Sequence, residues 1–155
     1  MSSSIAPYET KFDAALAFTL KQEGGWSDDP ADPGGATMKG ITQRTYDFYR
    51  NSKKLPLQSV RFMSDTEMRD IYFTRYWNMS GAEMLDWPLC LVHFDTYVNC
   101  LPEDTTAILA KSLNDPLSYI LLRIELYTHK IRKYPALAKF FQGWIFRCVD
   151  LFNCC

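Results

Sequence analysis

The run from Glu23 to Thr42, EGGWSDDPADPGGATMKGIT, limits what this chain can fold into more than any other stretch. It places one acid at the end of an apolar segment, then two Asp-Pro turns, two Gly-Gly pairs and a short patterned run. A helix interior does not tolerate that many glycines, each about 1 kcal/mol worse than alanine. The segment therefore reads as turns, with Pro fixing φ and Gly permitting φ > 0. Ala36 to Ile41 reads as a short strand or hairpin arm, with Gly40 allowing close approach of backbone. The expected β content is confined to residues 25–42.

What precedes the run is helical. Thr10 can cap a helix and Asp13 suits its first turn. Phe12, Leu16 and Leu20 recur at helical spacing, and Gly24 falls where a helix ends. Glu23 then sits in the last turn, where the carbonyl ends carry partial negative charge. A carboxylate there is disfavoured by roughly 0.3–1 kcal/mol. A protonated carboxyl is what general-acid catalysis requires. The plainer alternative is a solvated acid at a helix end.

The remainder is also mostly helical. Thr42 caps a helix from Gln43 to about Arg50. Ser64-Asp65-Thr66-Glu67 matches a capping box for a helix over 65–76. Pro88 introduces a strongly apolar helix, Leu89 to Asn99, expected to be the buried centre of the bundle. Asp95 and Asn99 lie four apart on it, either satisfying nearby backbone or facing a site. Further helices are expected from Pro102 to Leu113, from Pro116 to Tyr134 and from Ala136 to Phe152.

Composition excludes several classes. Of 155 residues, 47% are hydrophobic and 15% aromatic, enough for a folded core rather than disorder. A net charge of -1 argues against a general nucleic-acid binder. Residues 1–100 hold 10 Lys/Arg against 13 Asp/Glu and residues 101–155 hold 7 against 5, a mildly basic last third. The five cysteines lack metal-ligand spacing, and Cys90, Cys100 and Cys148 sit among apolar neighbours as reduced core side chains. No apolar run nears the roughly 18 residues of a membrane span, and no signal-peptide pattern opens the sequence. Synthesis in the cytoplasm and no stable membrane insertion are the expectations. No cofactor and no metal are expected.

Glu23 and Asp32 are nine positions apart and Thr37 follows five later. An acid at a helix end, with a second acid and a threonine on a returning loop, suits a sugar bridged between two carboxyls. EGGWSDDPADPGGATMKGIT resembles the signature of glycoside hydrolase family 108, phage-type N-acetylmuramidases of the lysozyme superfamily. TYDFYR, LPLQSVRFMSDTEMRDIYFTRYW and PLCLVHFDTYVN resemble the rest of that catalytic segment. ALAKFFQGWIFRCVDL is similar to the tail of the helical peptidoglycan-binding module that usually follows.

The resemblance implies a mainly α, lysozyme-like α+β fold: a helical bundle around a buried central helix. It divides the chain into a catalytic segment, 9–87, and a shortened binding-module-like segment, 88–153, packed as one globular unit. It implies cleavage of the β-1,4 bond between N-acetylmuramic acid and N-acetylglucosamine in peptidoglycan. Glu23 matches the family's general acid. Asp32 and Thr37 fall at the spacing of the second acid and the water-holding threonine, and Asp29 competes for the second role. Trp26, Asp29, Gly35 and Tyr46 are the candidate substrate contacts. The rings of Trp26, Tyr46 and Tyr49 either stack on sugars or serve the core.

Three departures stand out. Trp26 replaces the tyrosine common after EGG, Cys100 replaces a small residue, and the stretch between Asn99 and Asp115 is shortened. Alternatives to a hydrolase are a lytic transglycosylase using Glu23 alone, or a non-catalytic wall-binding protein that keeps the fold. An endolysin or a wall-remodelling enzyme would act at the wall or periplasm after release through a holin or a secretion system.

Overall fold

A computed structural model describes residues 10–28 and 34–155. The fold is mainly α with one small three-stranded antiparallel sheet, the class expected. Contacts group the chain into two compact units, Leu16–Met79 and a second made of Met1–Ala15 with Ser80–Cys155. That is a different division from the segments 9–87 and 88–153, which follow the family's pattern rather than contacts. Helix α1 (Lys11–Gln22) starts in one unit and ends in the other. Thr10 caps it as expected, its Oγ1 accepting from the Asp13 amide at 3.1 Å and donating to Asp13 Oδ2 at 2.6 Å.

The Leu16–Met79 unit holds the sheet. Strands β1 (Trp26–Ser27), β2 (Thr37–Met38) and β3 (Ile41–Thr42) lie in that order. Trp26 pairs with Met38 and Ser27 with Thr37, then Thr37 with Thr42 and Met38 with Ile41. Only Lys39 and Gly40 join β2 to β3, with φ of 48° and 78°. Positive φ at both central residues defines a type I′ turn, whose twist suits a hairpin. The sheet thus falls inside the expected window, residues 25–42.

Helix α2 (Gln43–Ser52) begins at once, the Thr45 amide donating to Thr42 Oγ1 at 3.2 Å. Helix α3 (Asp65–Tyr72) has the expected capping box. The Glu67 amide donates to Ser64 Oγ at 3.2 Å, and the Ser64 amide donates to Glu67 Oε2 at 3.0 Å. The helix expected to 76 stops being α at Tyr72. A π turn, Phe73–Trp77, and the short α4 (Asn78–Ser80) follow. Such turns are local insertions in a helix and gather near functional sites. Ile41, Tyr46, Val60, Ile71, Tyr72 and Trp77 are this unit's best-buried large side chains.

The other unit is built on α5 (Leu89–Asn99), in which Leu89 to Thr96 are all buried. The expected central helix is therefore present. Helices α6 (Pro102–Ser112) and α7 (Pro116–Lys133) follow, the latter capped by Asp115 Oδ2, which accepts from the Ser118 amide at 2.8 Å. The last helix starts later than expected. Pro135–Phe140 winds as a 3-10 helix before α8 (Phe141–Phe152), a tightening common where an α-helix begins.

Asp95 resolves to structure rather than to a site. It is fully buried and takes Arg123 Nη1 at 2.8 Å on Oδ2 and Arg147 Nη2 at 2.7 Å on Oδ1. Burial alone would raise its pKa, but the two guanidinium groups hold the carboxyl below the ordinary range. Cys90 and Cys148 are buried free thiols, as expected; burial pushes Cys90 up to about 11. Among the described residues no helix is long and apolar enough to cross a membrane.

Candidate active site

Glu23 follows the last residue of α1 and is still tied to that helix, its amide donating to Thr19 O at 3.1 Å. Thr19 is fully buried, so this end of the helix is anchored in the core. Gly24 comes next without adopting the left-handed conformation. The helix end and β1 are thus joined by Glu23, Gly24 and Gly25 alone.

The Glu23 carboxyl lies against the β2–β3 turn. A methyl carbon built on Gly40 would sit 2.9 Å from Glu23 Oε2 and 2.6 Å from the Tyr72 hydroxyl. Both distances are shorter than real side-chain contacts, so the acid and the phenol fill the space that any other residue at 40 would need. Tyr72 ends α3, is 1% exposed, and donates its hydroxyl proton to Lys39 O at 2.8 Å. Three elements meet here: the C-terminus of α1, the hairpin turn and the C-terminus of α3.

Lys39 holds that turn from two further directions. Its amide donates to Gly25 O at 3.2 Å, extending the ladder beside β1, and its Nζ donates to Asp65 Oδ1 at 2.7 Å. The lysine hydrogen bond keeps the Asp65 carboxyl below its ordinary pKa, although both groups lie near solvent.

The other expected site residues fall in several places. Asp32, expected as second acid, and its competitor Asp29 lie outside the described residues. Thr37 is in β2 and half-buried; its hydroxyl donates to Gly35 O at 3.1 Å, leaving oxygen lone pairs that can accept from water. Gly35 has φ of 68°, so the chain reverses there in a conformation that glycine adopts freely. Trp26, on β1, is 37% exposed, with Arg61 Cζ 5.5 Å from its ring centroid.

Tyr46 is not available to a sugar. It is fully buried, so neither ring face can stack on substrate, and of its two expected roles it takes the core one. Its hydroxyl donates to Glu67 Oε2 at 2.8 Å and accepts from Gln58 Nε2 at 2.7 Å and Arg50 Nη1 at 3.0 Å. Arg50 also donates to Glu67 Oε1 at 2.6 Å. Burial would raise the Glu67 pKa, but hydrogen bonds from Ser64 and Tyr46 and the Arg50 charge bring it below the ordinary range. Tyr49 is half-buried and donates to Asp70 Oδ2 at 3.0 Å.

Among the described residues no cluster of three or more His, Cys, Asp or Glu side chains could hold a metal ion. A carboxyl at the end of α1 faces a two-residue turn pinned on three sides. A positioned acid of this kind can protonate a leaving oxygen, a contribution typically of 100- to 10,000-fold.

Residues 16–100 match the family profile described as Glycosyl hydrolase 108. Among solved structures, that of Brucella abortus SagA superposes with a TM-score of 0.71 over 90% of each chain, at 22% sequence identity. At that identity the likeness speaks for the fold. No curated protein sequence matches the chain.

Proposed function

This chain belongs to glycosyl hydrolase family 108, and from that premise we propose that it is a muramidase that cuts peptidoglycan. The bond is the β-1,4 link between N-acetylmuramic acid and N-acetylglucosamine. Glu23 acts as general acid, passing its proton to the glycosidic oxygen as the bond to the anomeric carbon breaks; water then supplies a hydroxyl to that carbon, and its remaining proton restores the acid. The observation that carries this reading is the seating of the Glu23 carboxyl against Gly40 and Tyr72 at the end of α1. An acid that was merely solvated would not need a bare glycine and a buried phenol around it.

In the same reading, Asp32 stabilises the developing positive charge or orients the water, and the Thr37 oxygen accepts a hydrogen bond from that water. Trp26 offers an aromatic face to a sugar ring, and Gly35 lets the chain turn towards the substrate. In this reading the enzyme acts at the cell wall, after export by a holin-like pore or a secretion system.

Purified protein and its Glu23→Gln variant, assayed side by side on peptidoglycan, test the assignment. The parent should release new reducing ends, and Glu23→Gln should lose activity by at least 100-fold. Equal release by both overturns Glu23 as the acid. Products ending in 1,6-anhydro-muramic acid would mean transglycosylation instead of hydrolysis. Asp32→Asn should also lose most activity; loss in Asp29→Asn with Asp32→Asn active would move the second acid to Asp29.

A further inference from the structure

The geometry points to Gly40 and Tyr72 as positioning residues that together fix the direction of the Glu23 carboxyl. The inference rests on Glu23 being the acid, as proposed above. A single point, the place a Cβ would take on Gly40, is 2.6 Å from the Tyr72 hydroxyl, 2.9 Å from Glu23 Oε2 and 3.0 Å from Glu23 Cδ. The nearest of these neighbours, the Tyr72 hydroxyl, cannot withdraw without giving up its bond to Lys39 O, and the glutamate side chain is the freer to swing away. The glycine is held in a type I′ turn at φ 78°, and Tyr72 is buried with its ring tilted against Tyr76 at 5.3 Å. A side chain at 40 would therefore displace the Glu23 carboxyl and strain the Tyr72 hydroxyl with it.

Tyr72 also fixes the turn itself. Its hydroxyl proton goes to Lys39 O, so the phenol ties the end of α3 to the residue that precedes Gly40. Lys39 is held as well through its amide to Gly25 and its ammonium to Asp65. Without the Tyr72 hydroxyl, the turn keeps two ties and loses the one nearest the acid. The α3 helix turns to π geometry directly after Tyr72, which ends the regular helix at the residue whose hydroxyl makes this bond. Catalysis is sensitive to such placement, a 1 Å error at a catalytic group costing on the order of 100-fold in rate.

The test compares the parent with Gly40→Ala, Tyr72→Phe and Glu23→Gln on dye-labelled peptidoglycan, with thermal unfolding of each. Apparent kcat should fall about 100-fold in Gly40→Ala and about 10-fold in Tyr72→Phe, with apparent KM within about two-fold of the parent. Tyr72→Phe keeps the ring and the packing, so it decides the matter if Gly40→Ala fails to fold. An inactive Glu23→Gln beside a Tyr72→Phe of parental kcat would overturn the seat and leave the acid intact. Equal activity in Glu23→Gln and parent would overturn the acid, and the seat with it. A loss in Tyr72→Phe that appears in KM, or that matches a collapse in melting temperature, would reduce the pair to structural residues.

Discussion

Tyr46 shows how much one hydroxyl can organise at the residue scale. It donates to Glu67 and accepts from Arg50 and Gln58, linking α2, α3 and the segment between them through part-buried hydrogen bonds. Tyr46→Phe keeps the ring but leaves those three partners one bond short. The expected loss of stability is about 1–3 kcal/mol, read by urea unfolding, and a change under about 0.5 kcal/mol would refute the hub. Glu23 and Gly40 stand out in the sequence because their oddity is local: an acid at a helix end, and a glycine inside a strand-like run. Tyr72, proposed above as a positioning residue, does not stand out in the sequence. Its spacing fits the apolar stripe of α3 equally well, and its partner Lys39 lies 33 positions earlier. Tyr46 left two roles open because an aromatic side chain suits a core and a sugar platform alike, and only burial separates them.

Elements were the most readable level where a cap or a proline marks an end. Thr10, Thr42, Ser64 and Asp115 all cap as their side chains predict. Less readable were departures from regular winding, the π turn at Phe73–Trp77 and the 3-10 turns at Pro135–Phe140. Both preserve the apolar periodicity that a helix shows, so no sequence signal separates them from it. One end is poorly built. Helix α6 finishes at Leu113 in the left-handed conformation, φ 52°, with the side chain 87% exposed. A left-handed leucine is strained by roughly 1–2 kcal/mol, and glycine is the usual residue there. Leu113→Gly should therefore raise stability by about 0.5–1 kcal/mol after its added freedom in the unfolded chain is counted. A denaturant midpoint that fails to rise would show that the exposed side chain contributes more than its strain removes.

For the molecule as a whole, pH sensitivity follows from a buried histidine. His93 Nε2 faces Ser80 O at 2.9 Å and so carries the proton, leaving Nδ1 to accept from the Tyr119 hydroxyl at 2.9 Å. Burial lowers its pKa below the ordinary 6.5, with the Ser80 hydrogen bond opposing in part. The unfolded chain therefore binds the proton more readily, and stability should fall as pH drops below about 6.5. Asp95, Glu67 and Asp70, held below their ordinary values in the fold, add a second loss below about pH 4. Melting temperatures from pH 7 to 3 should show both falls, and His93→Gln should remove the first. A flat profile between pH 7 and 5, or an unchanged first fall in the variant, would contradict the assignment.

The ion cluster on α5 has a further consequence for how this half of the chain finds its packing. Asp95 meets Arg123 from 28 residues away and Arg147 from 52. Each arginine lies on its own helix, and a slip of one residue turns a helical side chain by about 100°. A misregistered α7 or α8 would thus bury a guanidinium away from its carboxylate, a fault worth about 3–5 kcal/mol. Greasy surfaces alone would accept many near-equivalent slides of one helix along another. A single carboxylate that must satisfy two distant cations removes those competitors and leaves a wider energy gap beneath the correct arrangement.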